Sequence, residues 1–467
     1  MNLKNLHTVY FIGVGGIGMS AIARYFNSLN CKVFGYDKTK TILTKQLELE
    51  GIEIHYDDDV NQIPADVKNK EEGTLVIYTP AIPKENKEAV YLKEQGIKLH
   101  KRSEVLGLIS ENYFTIAVAG THGKTTTSSI IAHILNECGV NCIAFLGGVS
   151  LNFNSNLLLN KNATTMVVEA DEYDRSFLTL SPDIALITSI DADHLDIYGD
   201  KNSMKNAYSE FVSKIKKDGE LISKQECIDE LTIREDISVS SYSGTDEATI
   251  FATNVIIKNG DYFVDIDEVK DIKFGLPGIH NVENAIGAFA IADKLEIDKQ
   301  KIKAALGNYK GVYRRFETHI KTADIVYIDD YAHHPSELEM CINSAKELYP
   351  NKKITGIFQP HLYTRTRDFI DDFATSLSLL DELILLDIYP ARELPIEGVD
   401  SELIKSKVTI SNKSIVAKED LLDSLLGKKI EVLLTMGAGD IDVFVQPIKE
   451  QLLKIYLPLK GDIEGCL

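Results

Sequence analysis

Gly120-Thr121-His122-Gly123-Lys124-Thr125-Thr126-Thr127 combines the residue types needed to hold a phosphate. Glycines let backbone N–H groups approach phosphate oxygens, Lys124 adds a point charge, and Thr125 offers a hydroxyl to Mg²⁺. A β-rich run at residues 115–119 leads into the stretch and a helix-forming run leaves it. The order strand, glycine loop, helix implies ATP or GTP binding. Val118 stands where the usual P-loop places its first glycine, so a shorter loop than in common ATPases is expected.

A second glycine-rich stretch opens the chain. Gly13-Val14-Gly15-Gly16-Ile17-Gly18-Met19-Ser20 lies between a strand and a helix, and Asp37 ends the next strand about twenty residues on. Alone it reads as a dinucleotide fingerprint, with an NAD-dependent oxidoreductase as the outcome. A dehydrogenase has no need of a Mg-triphosphate loop, however, and the same backbone device binds any pyrophosphate, that of a UDP-sugar included.

Further acidic and basic clusters end other strands. Val167-Val168-Glu169-Ala170-Asp171-Glu172 should lie beside the strand feeding the phosphate loop, where Mg²⁺ needs oxygen ligands. Asp191-Ala192-Asp193-His194-Leu195-Asp196 surrounds His194 with carboxylates, which favours metal or substrate binding. Asp329-Asp330-Tyr331-Ala332-His333-His334-Pro335 precedes a helix that Pro335 would open. Adjacent histidines at a helix start point apart, so a two-histidine metal site is not expected there. In Phe358-Gln359-Pro360-His361-Leu362-Tyr363-Thr364-Arg365-Thr366-Arg367, two arginines could hold a carboxylate or phosphate.

The elements that must position these groups follow an α/β pattern throughout, short apolar runs alternating with amphipathic helical stretches. With 467 residues the chain should form about three domains. Strands are expected at 8–14, 31–36, 52–55 and 74–78, then 115–119, 165–168, 184–188 and 220–223, then 325–328, 354–358, 383–386 and 432–435. Between the second and third sets, Asn259-Gly260 joins two β-rich runs and signals a hairpin, an antiparallel patch inside an α/β block. A net charge of −20 argues against a nucleic-acid surface or an anionic membrane as partner. The six cysteines include no pair of pairs for zinc and read as reduced thiols. No signal peptide or membrane-spanning run is apparent, so a cytoplasmic protein is expected.

Taken in order, residues 120–127, 169–177, Asp193-His194, residues 278–285, Tyr313-Arg314-Arg315-Phe316 and residues 329–335 resemble the Mur ligases, and residues 13–20, 358–361 and 436–440, which match one member of that family, extend the resemblance over nearly the whole chain. The likeness is greatest to the member that acts on L-alanine. It implies an N-terminal Rossmann-like domain binding the UDP-sugar (residues 1–108), a central P-loop-type ATPase domain (109–315), and a C-terminal Rossmann-like domain closing over nucleotide and amino acid (316–467). It further implies ATP-dependent ligation of L-alanine to the lactyl carboxylate of UDP-N-acetylmuramate through an acyl phosphate, in peptidoglycan precursor synthesis. The alternative is a sister ligase that joins a recycled cell-wall peptide to the same sugar nucleotide. A monomer or homodimer is expected.

Carried over by motif, Gly120, Thr121, His122, Gly123, Lys124, Thr125 and Thr126 would hold ATP phosphates, with Asn281 on adenine, Arg314 on phosphate and Asp330 on ribose. Thr125 and Glu169 would ligand one Mg²⁺ and His194 a second, while Lys124 stabilises the transferring phosphoryl group. Gly15, Gly16, Gly18, Met19, Ser20 and Asp37 would bind the UDP-sugar; Tyr331, His333, His361 and Arg365 would line the alanine side, with His361 a candidate base. The chain departs from some relatives at Leu362, where they carry arginine, so carboxylate recognition would rest on Arg365.

Overall fold

The computed structural model describes residues 3–191, 198, 200–258, 261–276, 278–391 and 393–456. The chain divides into two compact units, one of residues 1–255, 264–273 and 280–312, the other of residues 256–263, 274–279 and 313–467.

The first sheet contains β1 (Thr8–Ile12), β2 (Lys32–Tyr36), β3 (Glu53–His55), β4 (Thr74–Tyr78) and β5 (Leu99–Lys101), in the order β3-β2-β1-β4-β5. Its pairings are parallel throughout. β1 is buried at every position because helices cover both faces, so it reads as a continuous apolar run rather than an alternating one.

The second sheet has ten strands: β6 (Phe114–Ala119), β7 (Cys142–Ser150), β8 (Ser155–Leu159), β9 (Thr165–Glu169), β10 (Ile184–Ile187), β11 (Glu220–Ser223), β12 (Ser238–Ser243), β13 (Ile250–Lys258), β14 (Asp261–Ile266) and β15 (Val269–Phe274). Their order is β15-β14-β13-β12-β11-β10-β6-β9-β7-β8. β6 is central, flanked in parallel by β10 and β9, which brings the carboxyl ends of three strands together. β7 and β8 form an antiparallel hairpin that the sequence pattern does not announce. The Asn259-Gly260 turn lies outside the described residues, while β13 and β14, the strands on either side of it, are neighbours in the sheet.

The third sheet contains β16 (Glu317–Lys321), β17 (Val326–Asp330), β18 (Ile354–Phe358), β19 (Glu382–Leu385), β20 (Lys413–Ile415) and β21 (Val432–Met436), in the order β16-β17-β21-β18-β19-β20. It is parallel except for the bulged edge strand β16, which pairs antiparallel with β17. The fold is thus α/β with three sheets. Among the described residues no helix is long and apolar enough to cross a membrane, and the five described cysteines are free thiols.

Candidate functional site

Between β6 and the helix Lys124–Glu137 the chain turns through two glycines in the left-handed region, Gly120 (φ 130°) and Gly123 (φ 82°). Neither can carry a side chain. A Cβ on Gly120 would collide with Thr188 Oγ1, and one on Gly123 would stand 2.5 Å from Asn284 Oδ1. Val118 is a buried residue of β6, so the turn begins only at Gly120.

The segment after β10 braces this loop. The Thr121 hydroxyl donates to Asp191 O (3.1 Å) and accepts from Asp191 N (2.9 Å). The N–H of Thr121 donates to Ser189 O and that of His122 to Ser189 Oγ, each at 3.1 Å. The N–H groups of Lys124, Thr125 and Thr126, at the positive end of the helix, are the ones such a start directs at an anion.

Lys124 Nζ donates to Glu172 Oε1 at 2.9 Å, and Glu172 is buried. Burial pushes the Glu172 carboxyl above its usual range, and the Lys124 ammonium pulls the other way. Glu169, at the end of β9, accepts from Gly147 N at 2.9 Å. A Cβ on Gly148 would lie 3.1 Å from Thr125 Cγ2, so the Gly147-Gly148 pair of β7 touches both Glu169 and Thr125. Thr125 and Glu169 therefore both pack against the Gly147-Gly148 pair. A hydroxyl and a carboxylate form a hard oxygen donor set suited to Mg²⁺, which keeps most of its shell for water and phosphate. Among the described residues no group of three or more His, Cys, Asp or Glu could hold a metal by itself. His194 lies outside the described residues.

The helix Ile279–Lys294 starts beside the loop. Asn284 Nδ2 donates to Asn281 Oδ1 at 3.3 Å, linking the residue under Gly123 to the adenine-side candidate. Lys224 pairs with Glu283 at 2.5 Å. Burial, with the charges of Lys224 and His122, lowers the pKa of His280 to about 4, so its ring is neutral.

The first glycine loop is built differently. Gly15 N donates to Asp37 Oδ2 at 2.7 Å and Thr39 N to Asp37 Oδ1 at 3.1 Å, so Asp37 holds the loop. Met19 and Ser20 are in the core: Met19 is 2 % exposed, and the Ser20 hydroxyl donates to Ile17 O and accepts from Asn156 Nδ2. Their side chains pack inward, so what Met19 and Ser20 offer at the helix start is backbone, and Gly15, Gly16 and Gly18 form the surface of the turn. Arg102 is an addition. Its Nη1 would collide with a Cβ on Gly18, and its Nη2 donates to Asp171 Oδ2 at 3.0 Å.

In the second unit, the remaining candidates gather at the carboxyl ends of the adjacent strands β17, β21 and β18, where α/β sheets bind ligands. Arg314 is buried; its Nε donates to Asp329 Oδ2 (2.8 Å) and its Nη2 to Gly437 O (2.7 Å). Two of its donors are thereby committed within the unit. Asp330 accepts from Phe316 N (2.6 Å) and Ala332 N (2.7 Å); burial raises its pKa to about 6 against the pull of Arg315. The Tyr331 ring lies under the Arg314 and Arg315 guanidinium groups at 5.4 and 5.5 Å.

The His333 ring stands edge-on to Tyr331 and to His361. His361 stacks on Tyr389 and accepts a long 3.4 Å hydrogen bond from Arg365 Nη1. Burial, then the charges of His333 and Arg365, lower its pKa to about 4. His334 turns instead to Phe369, so the adjacent histidines do point apart. Leu362 takes a left-handed φ of 72° at the start of the helix Tyr363–Asp368.

Family models match nearly end to end: "Mur ligase family, catalytic domain" over residues 8–114, "Mur ligase middle domain" over 118–292, and "Mur ligase, glutamate ligase domain" over 314–439. The chain is 47 % identical to a UDP-N-acetylmuramate–L-alanine ligase of Cytophaga hutchinsonii, covering 96 % of this chain and 97 % of that one. It is 49 % identical to the protein of the same name in Flavobacterium psychrophilum, with 97 % and 99 % covered. The crystal structure of the UDP-N-acetylmuramate–alanine ligase of Thermotoga maritima superposes with a TM-score of 0.81 at 27 % identity, over 96 % of this chain and 99 % of that one. A murein peptide ligase of Psychrobacter arcticus shares the fold, with a TM-score of 0.68 at 22 % identity over 96 % and 98 % of the two chains. With three successive domain models matched and full-length relatives near half identity, this chain belongs to the Mur ligase family.

Proposed function

We propose that this enzyme joins L-alanine to the lactyl carboxylate of UDP-N-acetylmuramate at the expense of ATP, an early step of peptidoglycan precursor synthesis. The observation that carries this reading is near-half identity, over almost the whole of both chains, to ligases named for that reaction. The lactyl carboxylate takes the γ-phosphoryl group of ATP, giving an acyl phosphate and ADP. The amine of L-alanine adds to the acyl carbon, and the tetrahedral adduct expels phosphate to leave the amide.

In this proposal the 120–127 loop cradles the triphosphate, and Lys124 follows the charge that builds on the transferring phosphoryl group. Thr125 and Glu169 hold Mg²⁺, with His194 assigned to a second ion by motif. Bound Mg²⁺ supplies charge neutralisation between a carboxylate nucleophile and a triphosphate. Asn281 serves the adenine side. Gly15, Gly16 and Gly18, shaped by Asp37, serve the sugar-nucleotide pyrophosphate. Tyr331, His333, His361 and Arg365 serve the amino acid. A neutral His361 at working pH is an acceptor for the amine proton. Three proposed domains, 1–108, 109–315 and 316–467, carry these roles.

Phosphate release with UDP-N-acetylmuramate, ATP and Mg²⁺ tests the reading. Release that requires L-alanine supports it. Release only with an L-Ala-γ-D-Glu-containing tripeptide transfers the enzyme to the peptide-recycling class.

A further inference from the structure

The ammonium of Lys124 is fully occupied within the protein. It has three hydrogens to donate, and Gly120 O, Thr121 O and Glu172 Oε1 accept them at 2.6, 3.2 and 2.9 Å. Two of these acceptors belong to the loop itself and the third to the segment after β9. To follow a phosphoryl group the lysine must give up part of this set.

Glu172 is the acceptor least able to follow it. Its side chain is 1 % exposed, and its carbonyl accepts from Tyr198 Oη at 2.6 Å. The chain around it is tied down: Asp171 to Arg102 and Asp174 to Lys101, each at 3.0 Å, and Thr179 Oγ1 to Ser103 O at 2.9 Å. Asp174 and Arg175 hold left-handed φ values of 53° and 55°, a local conformation that resists sliding. When the lysine moves, the carboxylate stays. Breaking the ion pair of a buried carboxylate has a cost, and that cost is subtracted from the binding of whatever draws the lysine away.

We propose that Glu172 is a positioning residue that holds Lys124 in this hydrogen-bonded place and limits ATP affinity by the cost of releasing it. The proposal rests on the reading of the 120–127 loop as the ATP site. The amide introduced by Glu172→Gln would keep the shape of the side chain and remove its charge, so the lysine would be drawn forward at lower cost.

The experiment is equilibrium binding of ATP to the full-length enzyme without the other substrates, together with steady-state kinetics and a melting curve for each variant. Glu172→Gln is expected to lower the Kd for ATP about tenfold, with a fall in KM for ATP larger than any change in kcat. Tyr198→Phe, which loosens the hold on the Glu172 backbone, should shift Kd in the same direction by a smaller factor and serves if Glu172→Gln does not fold. An unchanged or raised Kd in the folded variant, with melting temperature and kcat falling together, overturns the proposal, because a purely structural carboxylate behaves so. Lys124→Ala separates the two layers: if it binds ATP as wild type does, the loop reading itself fails, whatever Glu172→Gln does.

Discussion

The two glycine loops of the first unit are the same backbone device put to different uses. Each follows a buried parallel strand, β1 or β6, and opens a helix, Ile17–Ser28 or Lys124–Glu137. In the first, a carboxylate, Asp37, accepts a loop N–H, and the residues after the turn are buried in the core. In the second, a lysine lies across the turn, and Thr125 and Glu169 both pack against the Gly147-Gly148 pair of β7. The first loop carries no lysine of its own and has the Arg102 guanidinium against Gly18, which suits a passive pyrophosphate. The second suits a phosphoryl group that is transferred. What separates the two loops is the set of side chains that neighbouring strands deliver, rather than the glycines.

The sharpest way to break that contrast is to remove the lysine. Lys124→Ala should lower the rate of phosphate release by about 10³-fold or more, while the Kd for UDP-N-acetylmuramate at the first loop stays within about twofold. Loss of both would mean that the loops are not separate in function. The variant should also melt lower, because Glu172 is left buried without its cation. Pairing Lys124→Ala with Glu172→Gln should restore the melting temperature and leave the activity lost.

Gly147→Ala comes next. Its new Cβ would collide with Glu169 Oε2, so the carboxylate must leave its place or β7 must shift. Activity should fall about 10²-fold, with a raised Mg²⁺ requirement in a metal titration. An unchanged titration would remove Glu169 from the metal rim. At the first loop the effect should be milder: Asp37→Ala frees the Gly15 N–H and should raise KM for the sugar nucleotide about tenfold, the worth of one charge-assisted hydrogen bond, with KM for ATP unchanged. A rise in KM for ATP instead would couple the loops.

Both loops can be read in the sequence because strand, glycines and helix are contiguous there. Central strands such as β4, β11 and β18 announce themselves as short apolar runs because both their faces are covered. β7 and β8 do not, since Gly147-Gly148 and the asparagines near the turn look like loop, and it is pairing with β9 on one side and β8 on the other that makes β7 a strand. Edge strands β16 and β20 are too polar to stand out. The same limit applies to side chains. Glu172 stands in a quoted motif, yet the Lys124 it pairs with lies 48 residues away, and Asn156 reaches Ser20 across 136 residues. Residues that act through distant partners leave no local pattern.

The smallest expected effect concerns the second unit, where two groups at the strand ends titrate with opposite signs. The pKa of His361 falls from 6.5 to about 4 on folding, through burial and then the charges of His333 and Arg365. Its neutral form is the one the fold prefers, so its contribution to stability is present above pH 6.5 and is lost as pH falls towards 4. The Asp330 pKa rises from 3.8 to about 6, chiefly through burial, so its contribution is present below pH 3.8 and is lost as pH rises through about 6. Over the shared window the two slopes oppose each other, and the wild-type curve should be shallow. Denaturant midpoints at a series of pH values between about 4 and 6.5 would separate them. Asp330→Asn should steepen the loss of stability on acidification. His361→Asn should flatten or reverse it. If neither variant changes the slope, neither group differs in proton affinity between the folded and unfolded chain, and the neutral His361 needed to accept the amine proton would lose its physical basis.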